Sequence, residues 1–241
     1  MMKCTIKNYY YFKNGEKPVG NSLSSEAAWA ALRLDNADTP FSLPRERRLW
    51  VAKALKEDAI RSRAQAIVRL VTEAGFSKIY SPGCGCAFLE YNVKTLLPRL
   101  SLYCSDSCGV SVEILKKIFI EADDVRKSDI ASGGWRAESG ALYLFHRVDQ
   151  EFDDAQWRQI FLAMHQARIK HILFIPCELL GIGGLIKKKI KFSLYAARKN
   201  KPIFAGYART KASFMALWEG LYTLKGFLPM AGLRGFFLER S

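Results

Sequence analysis

The hydrophobic and polar positions of this chain change their period at Gly75. Over 44–74 the apolar residues recur at helical spacing, which predicts one long helix. Ser42 is the candidate cap of this helix, Pro44 lies in its first turn and Gly75 is a natural stop. After Gly75 the pattern becomes one of short apolar strands that alternate with helices.

The second part of the chain predicts a parallel sheet. Strands are predicted at 78–81, 101–105, 125–127, 141–145 and 171–175, and helices at 87–97, 108–121 and 154–168. Asp153 and Gln156 form a candidate capping box at the start of the last helix. This alternation is typical of βαβ units, whose right-handed crossovers place the carboxyl ends of the strands at one edge, where ligands bind.

The end of the chain breaks this alternation. Strands at 221–228 and 234–239 are separated by a short link, which predicts an antiparallel hairpin at the edge of the sheet. The segment 178–211 is an insertion that a simple βαβ repeat does not require. The predicted fold class is therefore α/β, with a mostly parallel sheet, helices on both faces and a C-terminal antiparallel hairpin.

Residues 1–43 form a turn-rich leader with a short helical run over 27–34, which we expect to pack on the main domain, 44–241. The N-terminus has no apolar segment typical of a secretory signal. The longest apolar run, 171–186, contains a proline and a glutamate and is shorter than the roughly 20 residues that span a bilayer. Six cysteines are too few for a disulfide scaffold. We therefore expect a soluble, cytoplasmic protein with reduced thiols.

A glycine-rich turn at 81–87, with the sequence SPGCGCA, joins the first predicted strand to a helix. Gly83 and Gly85 allow a tight turn and let a ligand approach the backbone, toward which the helix directs free N–H groups. Asp106 ends the next strand, where its carboxylate can accept hydrogen bonds from a ribose. Asp129 follows the third strand, where it can meet an adenine amino group.

These motifs resemble those of class I S-adenosylmethionine-dependent methyltransferases over about 45–241. The resemblance implies a Rossmann-like sheet of seven strands and S-adenosylmethionine as the cofactor. It implies cofactor contacts from Ser81, Gly83, Cys84, Gly85, Asp106, Ser107, Asp129, Ile130 and Phe145. Ser81 stands where the family usually has an acid, and Ala87 stands where it usually has a third glycine. A dinucleotide fingerprint would need a glycine at Phe88, which disfavours an NAD site.

Candidate catalytic residues follow the fourth predicted strand. His146 ends this strand, beside the methyl position that the resemblance implies, and its ordinary pKa of about 6.5 suits a general base. The alternative is that His146 orders the strand end or orients the substrate. Asp149, in the same loop, is the second candidate catalytic residue. Arg147 and Glu178 are candidate substrate-binding residues.

Two cysteine pairs have spacings that a metal could accept, Cys84 with Cys86 and Cys104 with Cys108. Neighbouring parallel strands would bring the pairs together, and four thiolates can hold structural zinc. The first pair, however, lies in the turn where the cofactor is expected, and cysteine is also a common small residue in buried positions. We therefore predict no metal site.

The chain carries 37 basic and 23 acidic residues, a net charge of +14, which favours an anionic partner. Nine of the basic residues lie in 178–211 against one acid. The apolar residues of this insertion form a stripe at helical spacing: Ile182, Leu185, Ile186, Ile190, Leu194 and Ala197. The interpretations are a solvated helix that caps the substrate cleft, a lid for an anionic acceptor, peripheral membrane contact through 182–198, and nucleic-acid binding, which no RNA-binding motif supports.

The predicted function is methyl transfer from S-adenosylmethionine to an oxygen or nitrogen of a small-molecule acceptor. Anionic, sugar-containing and lipid-linked acceptors all stay open, and we expect the acceptor to enter between 146–149, 178–211 and the leader. Ser81 leaves a second hypothesis, a cofactor-binding protein without turnover. The basic charge leaves a third, an RNA methyltransferase. The sequence predicts neither the acceptor nor the oligomeric state.

Overall fold

The computed structural model describes residues 3–10, 25–35, 39–133, 135–197 and 203–241. Their strands are β1 (Thr5–Tyr10), β2 (Lys78–Pro82), β3 (Ser101–Asp106), β4 (Asp124–Lys127), β5 (Ala141–His146), β6 (His171–Ile175), β7 (Leu179–Leu180), β8 (Ile203–Thr210), β9 (Tyr222–Met230) and β10 (Leu233–Arg240). Their helices are α1 (Glu26–Leu34), α2 (Arg47–Lys56), α3 (Asp58–Ala74), α4 (Phe88–Leu96), α5 (Gly109–Ile118), α6 (Asp154–Gln166), α7 (Ile182–Ala197) and α8 (Lys211–Ala216), with a 3-10 turn at Ile130–Ser132.

The main sheet has, among the described residues, seven strands in the order β4-β3-β2-β5-β6-β10-β9. The strands from β2 to β6 run parallel, and β10 is antiparallel to both β6 and β9. Lys78 lies opposite both Ser101 and Ala141, so β2, β3 and β5 begin level and their carboxyl ends share one edge. The predicted strands, the fold class and the C-terminal hairpin are confirmed, with ends that shift by only a few residues.

Successive side chains of the central strands serve two separate cores. Leu144 of β5 packs in a core with Trp50 of α2, whereas Phe145 packs in the opposite core with Trp157 of α6. A strand that is buried on both faces needs apolar side chains in both directions, which explains the nearly continuous apolar run of β5. Within the described ranges, no helix is long and apolar enough to cross a membrane.

The single long helix predicted over 44–74 is wrong, because the chain is extended at Glu57 and divides it into α2 and α3. The break lets both helices pack against α4, which a straight helix of that length could not do. Ser42 caps neither helix; its hydroxyl is 2.7 Å from the ammonium of Lys53, and α2 begins only at Arg47. Gly75 does end α3, in the left-handed conformation with φ of 70°.

The predicted capping box is confirmed at the start of α6. Asp153 accepts a hydrogen bond from the amide of Gln156 at 2.8 Å, and the Gln156 side chain accepts one from the amide of Asp153 at 2.9 Å. These bonds satisfy two amides that the helix itself leaves free. The box therefore fixes where the loop after β5 ends, and this loop carries the candidate catalytic residues.

A second, smaller sheet was not predicted. Its order is β1-β8-β7, so the leader pairs with the insertion through antiparallel β1 and β8. Leu185 of α7 packs on this sheet against Leu180 and Ala208. The leader residues 11–24 and 36–38, and the insertion residues 198–202 with Arg198, Lys199 and Lys201, lie outside the described part of the chain.

Arg209 joins the small sheet to the main domain. It is one of the nine basic residues counted in 178–211, and its side chain is fully buried. Its guanidinium is 2.7 Å from the carboxylate of Asp154 and also donates to the carbonyls of Phe152 and Asp149. A buried guanidinium is tolerated here because carboxylate and carbonyl oxygens surround it.

Candidate functional site

The glycine turn lies at the carboxyl edge of the main sheet. The amides of Gly83 and Cys84 donate to the carbonyl of Ser105 at 2.7 and 3.0 Å, which ties the turn to β3. Gly83, Gly85 and Ala87 have φ of 71°, 60° and 53°, a region that side chains disfavour. The glycines are therefore required by the turn, and Ala87, fully buried, takes the third left-handed position at some conformational cost.

Asp106 binds the backbone of the turn directly. Its two carboxylate oxygens accept hydrogen bonds from the amides of Gly85 at 2.8 Å and Cys108 at 2.9 Å. The side chain is almost buried, and each oxygen keeps a lone pair that a hydroxyl could use. The structure thus brings together the glycine turn and the acid at the end of β3, which the sequence placed 21 positions apart.

The other predicted cofactor residues differ in their surroundings. Asp129 is exposed and accepts a bond from the amide of Ala131 at 2.9 Å, while Ile130 is buried against the turn. Ser107 is exposed beside Asp106. Phe145 is fully buried and stacks on another ring of the core, at 5.3 Å between centroids. Phe145 is therefore part of the core, and its contact with a cofactor stays a prediction.

A buried acid, Glu90, lies beside Ser81, the position where the resemblance expects an acid. The Ser81 hydroxyl donates to the carboxylate of Glu90 at 2.6 Å, and Glu90 lies in the first turn of α4 with only 2% of its surface exposed. Burial raises the pKa of Glu90 to about 7. Sequence reasoning missed this residue, although a glutamate among the apolar residues of 88–93 is an unusual choice for a buried helix face.

A group of unsatisfied polar atoms follows β5. Among the described residues, His146 Nε2, Asp149 Oδ2 and Arg63 Nε are buried without a hydrogen-bond partner. Asp149 Oδ1 accepts from the amide of Cys177 at 2.6 Å, so the group spans the ends of β5 and β6. Native structures rarely leave such atoms unpaired, so these three atoms are candidate contacts for a ligand.

The pKa values of the two candidate catalytic residues in this group, His146 and Asp149, are shifted in opposite directions. Burial, together with the charges of Arg63 and Arg147, lowers the pKa of His146 to about 3, so its imidazole is neutral at physiological pH. Burial raises the pKa of Asp149 to about 6. Asp149 is therefore the stronger proton acceptor of the two, which reverses the order that the sequence favoured.

The candidate substrate residues lie apart. Glu178 lines a cavity of about 780 Å³ beyond the ends of β6 and β8, and its carboxylate pairs with Lys188 at 2.9 Å. Lys211 and Arg234 line the same cavity, and both approach the ring of Phe227, at 4.5 and 5.2 Å from its centroid. Arg147, an exposed residue with φ of 60°, does not line this cavity.

The leader covers the glycine turn. Arg33 of α1 is buried, and its guanidinium lies 3.0 Å from the point where a Cβ on Gly85 would project. It donates to the carbonyl of Phe41 at 2.8 Å and to the hydroxyl of Ser111 at 3.2 Å. From the same helix, the Trp29 side chain bonds Glu151, whose pKa burial raises to about 7. The leader therefore covers the part of the edge that holds the glycine turn.

The cysteines of the turn do not assemble into a metal centre in the described part of the chain, where no three potential metal-ligating side chains come together. Cys84 contacts Cys104, whereas Cys86 accepts a hydrogen bond from Arg33 at 3.3 Å. Burial and the neighbouring thiol raise the pKa of Cys84, so its sulfur stays protonated at neutral pH.

Comparison with known proteins gives the fold a name. No protein-family profile and no curated protein matches the sequence. The structure is similar to magnesium protoporphyrin IX methyltransferase ChlM from Synechocystis PCC 6803 with bound SAH (TM-score 0.56, 12% identity, 88% of this chain and 92% of that chain). It is also similar to human N-acetylserotonin methyltransferase in complex with SAM (TM-score 0.56, 16% identity, 82% of this chain and 57% of that chain). This chain has the class I methyltransferase fold.

A third similar structure is the mitomycin 7-O-methyltransferase MmcR (TM-score 0.54, 18% identity, 74% of this chain and 54% of that chain). The chain spans little more than half the length of MmcR and of the human enzyme. At identities this low the likeness establishes the fold, and the activity has to be argued from the site.

Proposed function

We propose that this protein transfers a methyl group from S-adenosylmethionine to an oxygen or nitrogen of a small-molecule acceptor. The observation that carries the proposal is the carboxylate of Asp106, held 2.8 Å from the amide of Gly85 at the shared edge of the sheet. A ribose that lies over the turn would meet an acid and the backbone of two glycines. The similar folds named as O-methyltransferases or crystallised with SAM or SAH support the same chemistry.

The charges around the turn fit the cofactor, which carries a sulfonium, an ammonium and a carboxylate. Glu90 offers a carboxylate beside Ser81, where the resemblance places the contact to the amino group. Arg33 offers a guanidinium beside Gly85 for the carboxylate. Asp106 would hold the ribose, and Asp129 with Ile130 the adenine. The ammonium and the carboxylate of the cofactor thus each have a side chain of opposite charge at this edge.

The acceptor half of the site supplies a proton acceptor. S-adenosylmethionine supplies an electrophilic methyl group, which an acceptor oxygen or nitrogen attacks in line with the breaking carbon–sulfur bond. Asp149 Oδ2 is unpartnered and would take the proton that the acceptor loses. His146 is neutral, so its Nε2 accepts a hydrogen bond and orients the acceptor. Both residues therefore keep the roles of candidate catalytic residues, with Asp149 as the base.

The cavity beyond β6 indicates the acceptor class. Leu179, Leu180 and Ile182 give it apolar walls, and Lys211 and Arg234 give it positive charge. A partly apolar metabolite with a carboxylate or phosphate would match both features. The acceptor is thus expected to be anionic and amphipathic, and sugar-containing or lipid-linked molecules of that kind are the ones to test.

Calorimetry with S-adenosylmethionine and a methyl-release assay over a panel of acceptors test this proposal together. Micromolar binding and release of S-adenosylhomocysteine with at least one acceptor are expected. Asp124, an exposed acid on the neighbouring strand, provides the matched control: Asp124→Asn should retain the affinity that Asp106→Asn loses. Absence of binding by the native protein would overturn the proposal.

A second candidate is a cofactor-binding protein without turnover. It is favoured by Ser81, which stands where the resemblance expects an acid that contacts the cofactor. Val148 and Ile130 also approach the turn, at 2.6 and 3.2 Å from the point where a Cβ on Gly83 would project. Binding of S-adenosylmethionine without methyl release to any acceptor, including RNA, would favour this candidate.

A further inference from the structure

We propose that the outer face of α7 docks this protein on a membrane surface that contains anionic phospholipids. Helix α7 has the sequence IGGLIKKKIKFSLYAA, with four lysines and no acidic residue. It combines a basic charge with an apolar stripe, as helices that lie in a membrane interface do. An ordinary packed helix buries its apolar stripe, whereas the small sheet covers Leu185 of α7 and leaves most of the stripe exposed.

The inner face of α7 is fixed to the small sheet. Leu185 is only 5% exposed and lies in the core of that sheet. The ring of Phe192 is 5.2 Å from the ring of Tyr9 on β1. Lys188 reaches back to Asn8 at 3.2 Å and to Glu178 at 2.9 Å. These contacts hold one side of the helix and decide which side turns outward.

The outer face consists of Ile182, Ile186, Ile190 and Leu194, which are 67%, 53%, 55% and 57% exposed. Residues four apart in a helix are rotated by about 40° from one another, so the four form one stripe over about 120°. The sequence predicted these positions as an apolar stripe, and the structure places most of it toward solvent. Large contiguous apolar surfaces are rare on soluble proteins unless something binds to them.

Lysines lie on both sides of this stripe. On the helical wheel Lys187 and Lys191 follow Leu194 on one side, and Lys189 precedes Ile182 on the other. In this arrangement the apolar side chains can enter the acyl region while the ammonium groups reach lipid phosphates. A second copy of the same face would bring lysines against lysines, so the charge favours an anionic surface over self-association.

Docking would place the acceptor cavity at the membrane. Ile182 begins the exposed stripe and also lines the cavity of about 780 Å³ that contains Lys211. The mouth of this cavity would then face the lipid headgroups. This consequence, a membrane-borne anionic acceptor, rests on the proposed methyltransferase function, whereas the docking itself does not.

Vesicle flotation of the full chain tests the docking without any activity assay. We expect binding to vesicles of phosphatidylcholine with phosphatidylglycerol, and little binding to phosphatidylcholine alone. Added salt should weaken the binding, and Lys187→Glu with Lys189→Glu should weaken it by at least tenfold, since each lysine near an anionic surface contributes roughly fivefold. Equal binding to both kinds of vesicle, or to neither, would overturn the proposal.

Substitutions in the stripe provide the sharper test. Ile186→Asp with Ile190→Asp should reduce vesicle binding at least tenfold and leave the circular dichroism spectrum unchanged, because both side chains already face water. Ile120→Asp is the matched control, because Ile120 lies just after α5 and is 69% exposed. The Ile120→Asp variant should bind vesicles as the native protein does. An equal loss of vesicle binding in the Ile120→Asp control would contradict the proposal that lipid covers the outer face of α7. So would a concentration-dependent dimer that the Ile186→Asp, Ile190→Asp variant no longer forms.

Discussion

The carboxyl edge of the main sheet and the outer face of α7 depart from the usual division between core and surface in opposite ways. The edge buries acids: Glu90 and Asp149 are almost fully inaccessible, and burial raises the pKa of both. The outer face exposes isoleucines, of which Ile182 and Ile190 are more than half accessible. Under the two proposals, a ligand of matching chemistry covers each arrangement: the cofactor at the edge and a lipid surface at α7.

The comparison teaches that the two regions are suited to different kinds of ligand. Buried carboxylates and orphaned polar atoms recognise a cationic, hydrogen-bonding molecule at fixed geometry, which suits a cofactor. An exposed apolar stripe between lysines recognises a surface without fixed geometry. The five predictions below break or sharpen this distinction.

The largest expected effect concerns the base. Asp149→Asn keeps the hydrogen bond from the amide of Cys177 but removes the proton acceptor, so methyl transfer should fall about 10²- to 10⁴-fold. The affinity for S-adenosylmethionine should change little. His146→Ala should also lower turnover more than cofactor binding, by a smaller factor. A loss of affinity that matches the loss of turnover in either variant would indicate a structural role.

Arg209→Met tests the link between the two regions. It should lower the free energy of unfolding by about 2–4 kcal/mol, because it removes the buried guanidinium that pairs with Asp154 and donates to the carbonyl of Phe152, although Trp157 Nε1 still donates to the carbonyl of Asp149. Arg61→Met removes the exposed pair with Asp58 and should cost less than about 1 kcal/mol in the same denaturant titration. Similar costs for both variants would show that the small sheet does not depend on this contact.

Asp106→Ala should weaken S-adenosylmethionine binding by about 1–3 kcal/mol, the range expected when hydrogen bonds to a charged group are lost. Calorimetry measures this change directly. Because Asp106 also binds the amides of Gly85 and Cys108, the unfolding free energy has to be measured beside it. Unchanged affinity would refute the assignment of the ribose to Asp106.

Glu90→Gln should separate binding from stability. The folded carboxyl has its pKa raised to about 7, so its contribution to stability is retained at low pH and is lost as the pH rises from the unfolded pKa of about 4.5 through 7. The variant, which cannot ionise, should therefore be more stable than the native protein above pH 7, by about 1–3 kcal/mol. It should at the same time bind S-adenosylmethionine more weakly. Tighter binding would exclude a contact to the ammonium group.

The smallest effect is the pH dependence of cofactor binding. Burial raises the pKa of Glu90 and of Glu151 to about 7, so both are partly protonated at neutral pH. A cationic ligand favours their ionised forms, and affinity should therefore increase by about tenfold between pH 6 and 8. Calorimetry in two buffers of different ionisation enthalpy should detect proton release. Proton uptake would show that these acids do not face the cofactor.

Local patterns were sufficient for the frame of the site. The strand–helix alternation predicted the sheet. The glycines at 83 and 85 predicted a tight turn, and the position of Asp106 predicted an acid at a strand end. The structure confirms that this turn and this acid meet. The pattern over 44–74 failed, because the helical period continues through the break at Glu57 and only packing against α4 reveals it. The small sheet was missed because β1 and β8 pair across almost the whole chain.

The sequence alone determined the fold class and the edge at which the glycine turn and Asp106 meet, since periodicity, glycine conformation and right-handed crossovers are local rules. Only the tertiary structure decided which buried acid accompanies Ser81, which leader side chain covers Gly85, and which face of α7 is left to solvent. Each of these depends on contacts between residues on different elements. Their energies come from burial and pairing that no single segment contains, which is why position in the fold, and not residue type, distinguishes Glu90 from an ordinary surface glutamate.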